Sequence, residues 1–247
     1  MEKIKILVVP DVHGIGGWEE PVKEALKEGV HVVFIGDYVD SPTVSLHDIL
    51  KNLERIVAFK RSNPGGTTLL LGNHDYAYVF GKTRTTGFDA AMWHQYRQTF
   101  HENWDLFDIA WGHGESRYTL FTHAGLTSFF YQEMEKEILA PKTSMHAILG
   151  ATEGWRSLPL HELMNHFKDK VGLMWMVGLH RRGMDVTGSP LWADRQELLD
   201  DPYEGIDQIV GHTPVATLEI HETTAGRIIF TDVHRDESLT CTYVELI

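Results

Sequence analysis

Asp, His and Asn recur where short apolar runs end, and as a set they have the chemistry of a two-metal hydrolytic centre. Asp11 and His13 lie in Asp11-Val12-His13-Gly14, and Asp37 and Asp40 in Gly36-Asp37-Tyr38-Val39-Asp40. Asn73, His74 and Asp75 share Gly72-Asn73-His74-Asp75, while His123 falls in Thr122-His123-Ala124-Gly125 and His212 in Gly211-His212-Thr213-Pro214. Imidazole suits transition metals, and carboxylate and amide oxygens suit harder ions such as manganese. The mixture points to a transition-metal pair rather than calcium. Two divalent ions roughly 3.5–4 Å apart activate a water nucleophile and clamp phosphoryl oxygens. Asp11 and His13, two residues apart, point to the same side of an extended chain and can chelate one ion. Asp37 can bridge, and Asn73, His123 and His212 can complete the second ion's shell.

His74 follows the proposed ligand Asn73 directly and can face a substrate held there. A protonated imidazole in that place donates to a leaving oxygen. Asp75 is one carboxylate able to fix the tautomer of the ring. A cap on a helix start is the alternative use of Asp75.

Such residues must be brought together by the elements that end at them. Ile6–Pro10, Val32–Ile35, Leu69–Leu71, Leu120–Phe121 and Ile209–Val210 read as buried strands closed by turn residues. Ligands of open α/β sheets gather outside the carboxyl ends of strands, so these endings can converge. The pattern predicts strand Lys5–Pro10, helix Glu19–Glu28, strand Val30–Gly36, a helix over roughly Val44–Arg61, and strand Thr67–Leu71. This βαβαβ order argues for parallel strands with right-handed crossovers. Val215–His221, Arg227–Asp232 and Leu239–Leu246 read instead as an antiparallel meander. Between them lie two excursions expected to be mainly helical, at about 76–116 and 126–205. Thr127–Leu139, Leu160–Lys170 and Gln196–Asp200 are the helix candidates in the second. A single domain over 1–247 accommodates all of this.

Composition narrows the function classes. With 43% apolar and 23% charged residues, the chain is an ordinary globular one. Its only cysteine is Cys241, so no intramolecular disulfide forms, which fits a reducing compartment. No stretch reaches the roughly 20 apolar residues of a membrane span. Met1–Lys5 runs straight into the first strand with no room for a signal peptide, so the expected setting is cytoplasmic. A net charge of −13 offers no global attraction for nucleic acid. The remaining histidines read as structural residues, and Trp93, Tyr96, Trp155, Trp175 and Trp192 as packing aromatics rather than a base-stacking platform.

Taken in order, Asp11-x-His13-Gly14, Gly36-Asp37-x-x-Asp40, Gly72-Asn73-His74-Asp75, His123 and Gly211-His212 resemble the signature of the calcineurin-like metallophosphoesterase superfamily. The resemblance runs from Asp11 to about Asp232. It is nearest to the phosphoprotein phosphatase branch, which includes bacterial and phage Ser/Thr phosphatases and diadenosine tetraphosphate hydrolases. It implies an α/β fold, a two-sheet β-sandwich flanked by helices with mixed parallel and antiparallel strands. It also implies one metal held by Asp11, His13 and Asp37, and a second by Asp37, Asn73, His123 and His212, most readily Mn2+ with Fe or Zn as alternatives. By the same resemblance His74 is the acid and Asp40 its orienting partner. The implied reaction is phosphomonoester hydrolysis by a hydroxide bridging the metals, on a phosphorylated protein. Diadenosine tetraphosphate or another nucleotide phosphodiester is the alternative substrate, and a non-catalytic metal-binding scaffold the reading from another class.

One position departs from the branch. After Asp40 the branch usually continues with Arg-Gly, and that arginine holds the substrate phosphate; here Ser41-Pro42 follows. A phosphoryl group in transit needs a cationic clamp besides the metals, usually the arginine fork. Arg195 is one replacement, because Leu191-Trp192-Ala193-Asp194-Arg195 resembles the tryptophan-containing segment between the last two metal histidines. Arg181 and Arg182 are the others, with Asn73 as a further phosphate contact. Asp232 matches only part of the branch's Asp-Thr-Gly and reads as a strand-end carboxylate.

Overall fold

A computed structural model describes residues 4–82, 85–114, 117–150, 153–235 and 238–246. The expectation that no leader precedes the first strand rests partly on Met1–Lys3, which lie outside the described residues. The same holds for the ring of His234. The chain divides into two compact units. One comprises Met1–Asp108, Val210–Ile220 and Ile229–Ile247; the other comprises Ile109–Ile209 and His221–Ile228.

In the first unit the apolar runs form a sheet as their patterning dictates. Its elements begin with β1 (Ile4–Val9), α1 (Glu19–Lys27), β2 (His31–Phe34), α2 (Leu46–Ser62) and β3 (Thr67–Leu70). They continue with α3 (Asn73–Phe80), α4 (Trp93–Glu102) and β4 (Phe107–Asp108). β1 pairs parallel with β2, β2 with β3 and β3 with β4. Leu7, Val8, Val9, Val33, Phe34, Leu69 and Leu70 are fully buried, and each such side chain contributes about 1.5–3 kcal/mol over exposure. Ser45 starts α2 by accepting the backbone N–H of Asp48. Gly81, at φ +66°, ends α3 in the left-handed conformation that glycine adopts without strain. Because β1, β2 and β3 are parallel neighbours, their carboxyl ends lie at one edge of the sheet. The segments carrying Asp11, Asp37 and Asn73 leave from that edge.

The second unit begins with β5 (Ala110–His113), β6 (Thr119–Thr122) and the helices α5 (Ser128–Leu139), α6 (Leu160–Asn165), α7 (Val171–Met174) and α8 (Arg195–Asp200). Of strands β7 (Asp207–Val210), β8 (Glu219–Glu222) and β9 (Arg227–Phe230), residues up to Ile209, His221–Glu222 and Arg227–Ile228 fall in this unit. The second sheet has the order β5-β6-β7-β9-β8, antiparallel between β5 and β6 and parallel between β6 and β7. Asn165, ending α6, accepts the N–H groups of Ile109 and Ala110 at 2.8 and 3.0 Å and returns a bond to the Ala110 carbonyl, fixing α6 to β5. Asp207 binds both Arg117 and Arg227 through paired guanidinium contacts of 2.7–2.9 Å.

Two mixed five-stranded sheets with helices make this an α/β fold of the expected class. Three local expectations are corrected. The C-terminal segment is no single meander: β10 (His234–Arg235) and β11 (Ser238–Leu239) form a hairpin, and β12 (Thr242–Leu246) joins β1 antiparallel in the first sheet. Residues 76–116 are not helical throughout, because β4 and β5 lie there, each a sheet edge too short to show alternation. The helix expected over Leu160–Lys170 ends at Asn165, where its side chain is drawn to the β5 backbone. Among the described residues no helix is long and apolar enough to cross a membrane.

Candidate metal centre

In the first unit Asp11, His13 and Asp37 each offer a ligand atom within 4.8 Å of the others, and Asp37 and His212 do the same. Asp11, Asp37 and His212 are buried, while His13 is partly open. The His13 ring places Nδ1 at 3.0 Å from the Val39 carbonyl and 2.7 Å from that of Asp40. Carbonyls only accept, so Nδ1 carries the proton and Nε2 keeps the lone pair a metal needs. That Nε2 stands 3.9 Å from Asp37 Oδ2. Buried carboxylates without a cation resist ionisation: burial, then Asp232 and Asp37, hold the Asp11 carboxyl well above its ordinary range. Burial and then Asp75 do the same for Asp37. Asp232, read from sequence as a mere strand-end carboxylate, thus adds its charge to this cluster.

The backbone is shaped around these oxygens. A Cβ at Gly72 would overlap Asp37 Oδ1, and one at Gly211 would overlap Asp11 Oδ1. Glycine is therefore demanded at both places by close approach. His13, Asp37, Asp40 and His212 all take positive φ, at 44°, 51°, 63° and 62°. A non-glycine residue in that region costs on the order of 1–3 kcal/mol and persists only where neighbours over-determine it. Here they do. His13 N–H donates to Asp37 O at 2.7 Å, Gly14 N–H to Tyr38 O at 3.0 Å, and His212 N–H to Asp11 Oδ1 at 3.1 Å. Donor types, burial, tautomer and glycine cradles all fit divalent cations.

Asn73 and His74 open α3, and His74 N–H donates to Asp37 Oδ1 at 3.0 Å. The His74 ring is oriented by Asp40, whose Oδ2 lies 2.8 Å from Nδ1. Asp75 takes the other use considered for it. Its two oxygens accept the N–H groups of Tyr38 at 2.8 Å and Gly72 at 2.9 Å, capping α3 and bracing the Asp37 loop. Ser41 accepts from Thr43 and Val44 N–H and brings no cation.

The sequence of the calcineurin-like phosphoesterases matches residues 4–235. This chain belongs to that family. As a calcineurin-like phosphoesterase it is a metal-dependent hydrolase. Among solved structures it is similar to the cold-active protein-tyrosine phosphatase of the psychrophile Shewanella sp., with TM-score 0.48, 16% identity, and coverage of 94% of this chain and 71% of that one. It is also similar to the phosphatase domain of the Legionella effector WipB, with TM-score 0.35, 11% identity, and coverage of 67% and 66%. No curated protein matches it in sequence.

The other expected residues of this phosphoesterase belong to the second unit. His123 is fully buried just beyond β6. Arg181 pairs with Asp194 at 2.8 Å, Arg182 is exposed at φ 63°, and Arg195 lies 3.2 Å from the His221 ring.

Proposed function

We propose that this calcineurin-like phosphoesterase hydrolyses phosphomonoesters, with phosphoserine or phosphothreonine proteins as substrates, as one catalytic domain in the cytoplasm. The observation that supports this reading most is the His74–Asp40 pair beside the Asp11–His13–Asp37 cluster, whose two carboxylates are buried. In this reading Asp11, His13 and Asp37 would hold one divalent ion, and Asp37, Asn73, His123 and His212 a second, with Mn2+ the proposed metal. Bound there, the ions supply water activation and neutralise phosphoryl charge.

The chain's own groups do the rest. Asp40 accepts the Nδ1 proton of His74, so Nε2 is the nitrogen that holds the transferable proton. Nε2 is 3.9 Å from Asp37 Oδ2, which keeps it facing the cluster. As water attacks phosphorus, the P–O bond to the ester breaks and its electron pair leaves with the ester oxygen. That oxygen takes the proton from His74 Nε2. Arg195, with Arg181 and Arg182 as alternatives, neutralises the remaining phosphoryl oxygens.

The serine after Asp40 favours a second reading, hydrolysis of a diester or of diadenosine tetraphosphate, since a diester presents fewer charged oxygens to clamp. Purified protein with manganese, assayed on p-nitrophenyl phosphate and its bis ester, separates the readings. Monoester turnover supports the first and bis-ester preference the second. Silence on both, with a phosphopeptide and diadenosine tetraphosphate also inert, leaves a metal-binding scaffold.

A further inference from the structure

Beyond the His74–Asp40 pair, a second side chain reaches the same carboxylate. Tyr78 is buried on α3 four residues after His74, on the same face of the helix. Its hydroxyl donates to Asp40 Oδ1 at 2.5 Å, while Oδ2 of the same carboxylate faces His74 Nδ1 at 2.8 Å. The direction of the hydroxyl is settled by a third group. The backbone N–H of Asp89 donates to the Tyr78 oxygen at 2.7 Å, which leaves the hydroxyl hydrogen to point at Asp40.

The segment delivering that N–H is itself fixed. The Asp89 side chain accepts the N–H groups of Ala91 and Met92 at 2.8 and 3.1 Å. The Tyr78 ring is stacked on Phe88, 4.5 Å between centroids and 17° apart in plane, and meets Tyr96 edge-on at 5.0 Å. Trp93 Nε1 donates to the Tyr78 carbonyl at 3.0 Å. Thr85 Oγ1 stands 3.5 Å from Asp40 Oδ2, at the margin of a hydrogen bond.

We infer that Tyr78 is a positioning residue for proton donation by His74, acting only through Asp40. The physical reason lies in Asp40 itself. It takes φ 63° and is nearly buried, so its carboxylate has neither a relaxed backbone nor bulk water to set its direction. Two oxygens bound by two rigid partners define its plane, and that plane aims the imidazole. Burial, then the hydrogen bond to Asp40, raises the Tyr78 hydroxyl far above its ordinary value, so it stays a donor. A chain of hydrogen bonds then runs from the Asp89 backbone through Tyr78 and Asp40 to His74.

This inference rests on the hydrolase reading, and its test separates the two. Tyr78→Phe keeps the stacked ring and removes only the hydroxyl. Phenyl phosphate needs its leaving oxygen protonated, whereas 2,4-dinitrophenyl phosphate does not. In Tyr78→Phe, kcat on phenyl phosphate should fall about tenfold while kcat on the dinitrophenyl ester stays within about twofold. In an Asp40→Asn background, Tyr78→Phe should add no further loss on phenyl phosphate. Equal losses on both esters, no loss on either, or full additivity with Asp40→Asn would each overturn the role. Proton NMR gives a reading independent of turnover. The wild-type protein should show a downfield, exchange-protected hydroxyl resonance that vanishes in Tyr78→Phe, and its absence from the wild type also overturns the inference. If the wild type hydrolyses neither ester while that resonance is present, the hydrolase reading fails and the Tyr78–Asp40 contact stands.

Discussion

Nδ1 of His74 lies 2.8 Å from Oδ2 of Asp40, and His74 Nε2 is turned toward Asp37. One ring nitrogen is therefore held by a carboxylate while the other faces the cluster, and in the proposed reaction the second donates the proton. In that reaction, replacing His74 removes the proton donor but none of the buried carboxylates beside it. His74→Asn should lower kcat by roughly 10²–10⁴. Metal content by elemental analysis should match the wild type. Unchanged turnover in this variant would remove His74 from the acid role.

The glycines that admit the carboxylates lead to a metal-affinity prediction. Gly211 has no left-handed backbone requirement, yet a Cβ there meets Asp11 Oδ1 and Ile35. Gly211→Ala should displace Asp11 and weaken Mn2+ binding by roughly 10–100-fold, comparable to losses when groups supporting metal ligands are changed. Calorimetric titration of the metal-stripped protein reads this directly. Wild-type affinity in the variant would show that Asp11 is not a ligand.

Removing the metal should abolish turnover and lower stability together. Any ion that binds only the folded chain stabilises it by RT ln(1 + [L]/Kd), about 2.7 kcal/mol at a hundredfold excess over Kd. Chelation should lower Tm, and Mn2+ should restore both Tm and activity. A Tm indifferent to chelator and manganese would refute binding at the buried carboxylates.

Asp75 carries a structural prediction distinct from catalysis. Its carboxylate accepts from Tyr38 N–H and Gly72 N–H, both buried. Asp75→Ala leaves two buried donors unsatisfied, a loss of about 2–5 kcal/mol in urea unfolding. Asp75→Asn, which retains one acceptor, should lose less. Equal stability of the three proteins would contradict the bracing role.

In the second unit Asp207 sets an acid limit. Burial alone would raise its carboxyl, but hydrogen bonds from Arg227 and Arg117 outweigh that and hold it below its ordinary range. A carboxyl depressed in the folded state stabilises above its unfolded value and loses that contribution as pH falls through the folded one. Asp207→Asn should therefore be less stable near neutrality by on the order of 3 kcal/mol. Its stability should also vary less with acidification below about pH 4. Parallel unfolding curves for the two proteins across that range would count against the assignment.

Sequence alone determined the donor types, the strands that end in them and the parallel order of β1, β2 and β3. Those are properties of local residue pattern, since apolar runs closed by turn residues mark buried strands wherever they occur. Residue pattern could not decide between Asp40 and Asp75 on the His74 ring, because both carboxylates lie close to it along the chain or across the sheet. The tertiary structure decided by directing Asp75 to backbone donors and Asp40 to the imidazole. It also brought Tyr78 to Asp40 and set His13, Asp37, Asp40 and His212 at positive φ. Hydrogen-bond direction and backbone strain arise from packing between distant segments. For that reason the candidate donor residues could be named from the sequence, while the contacts that aim them belong to the folded chain.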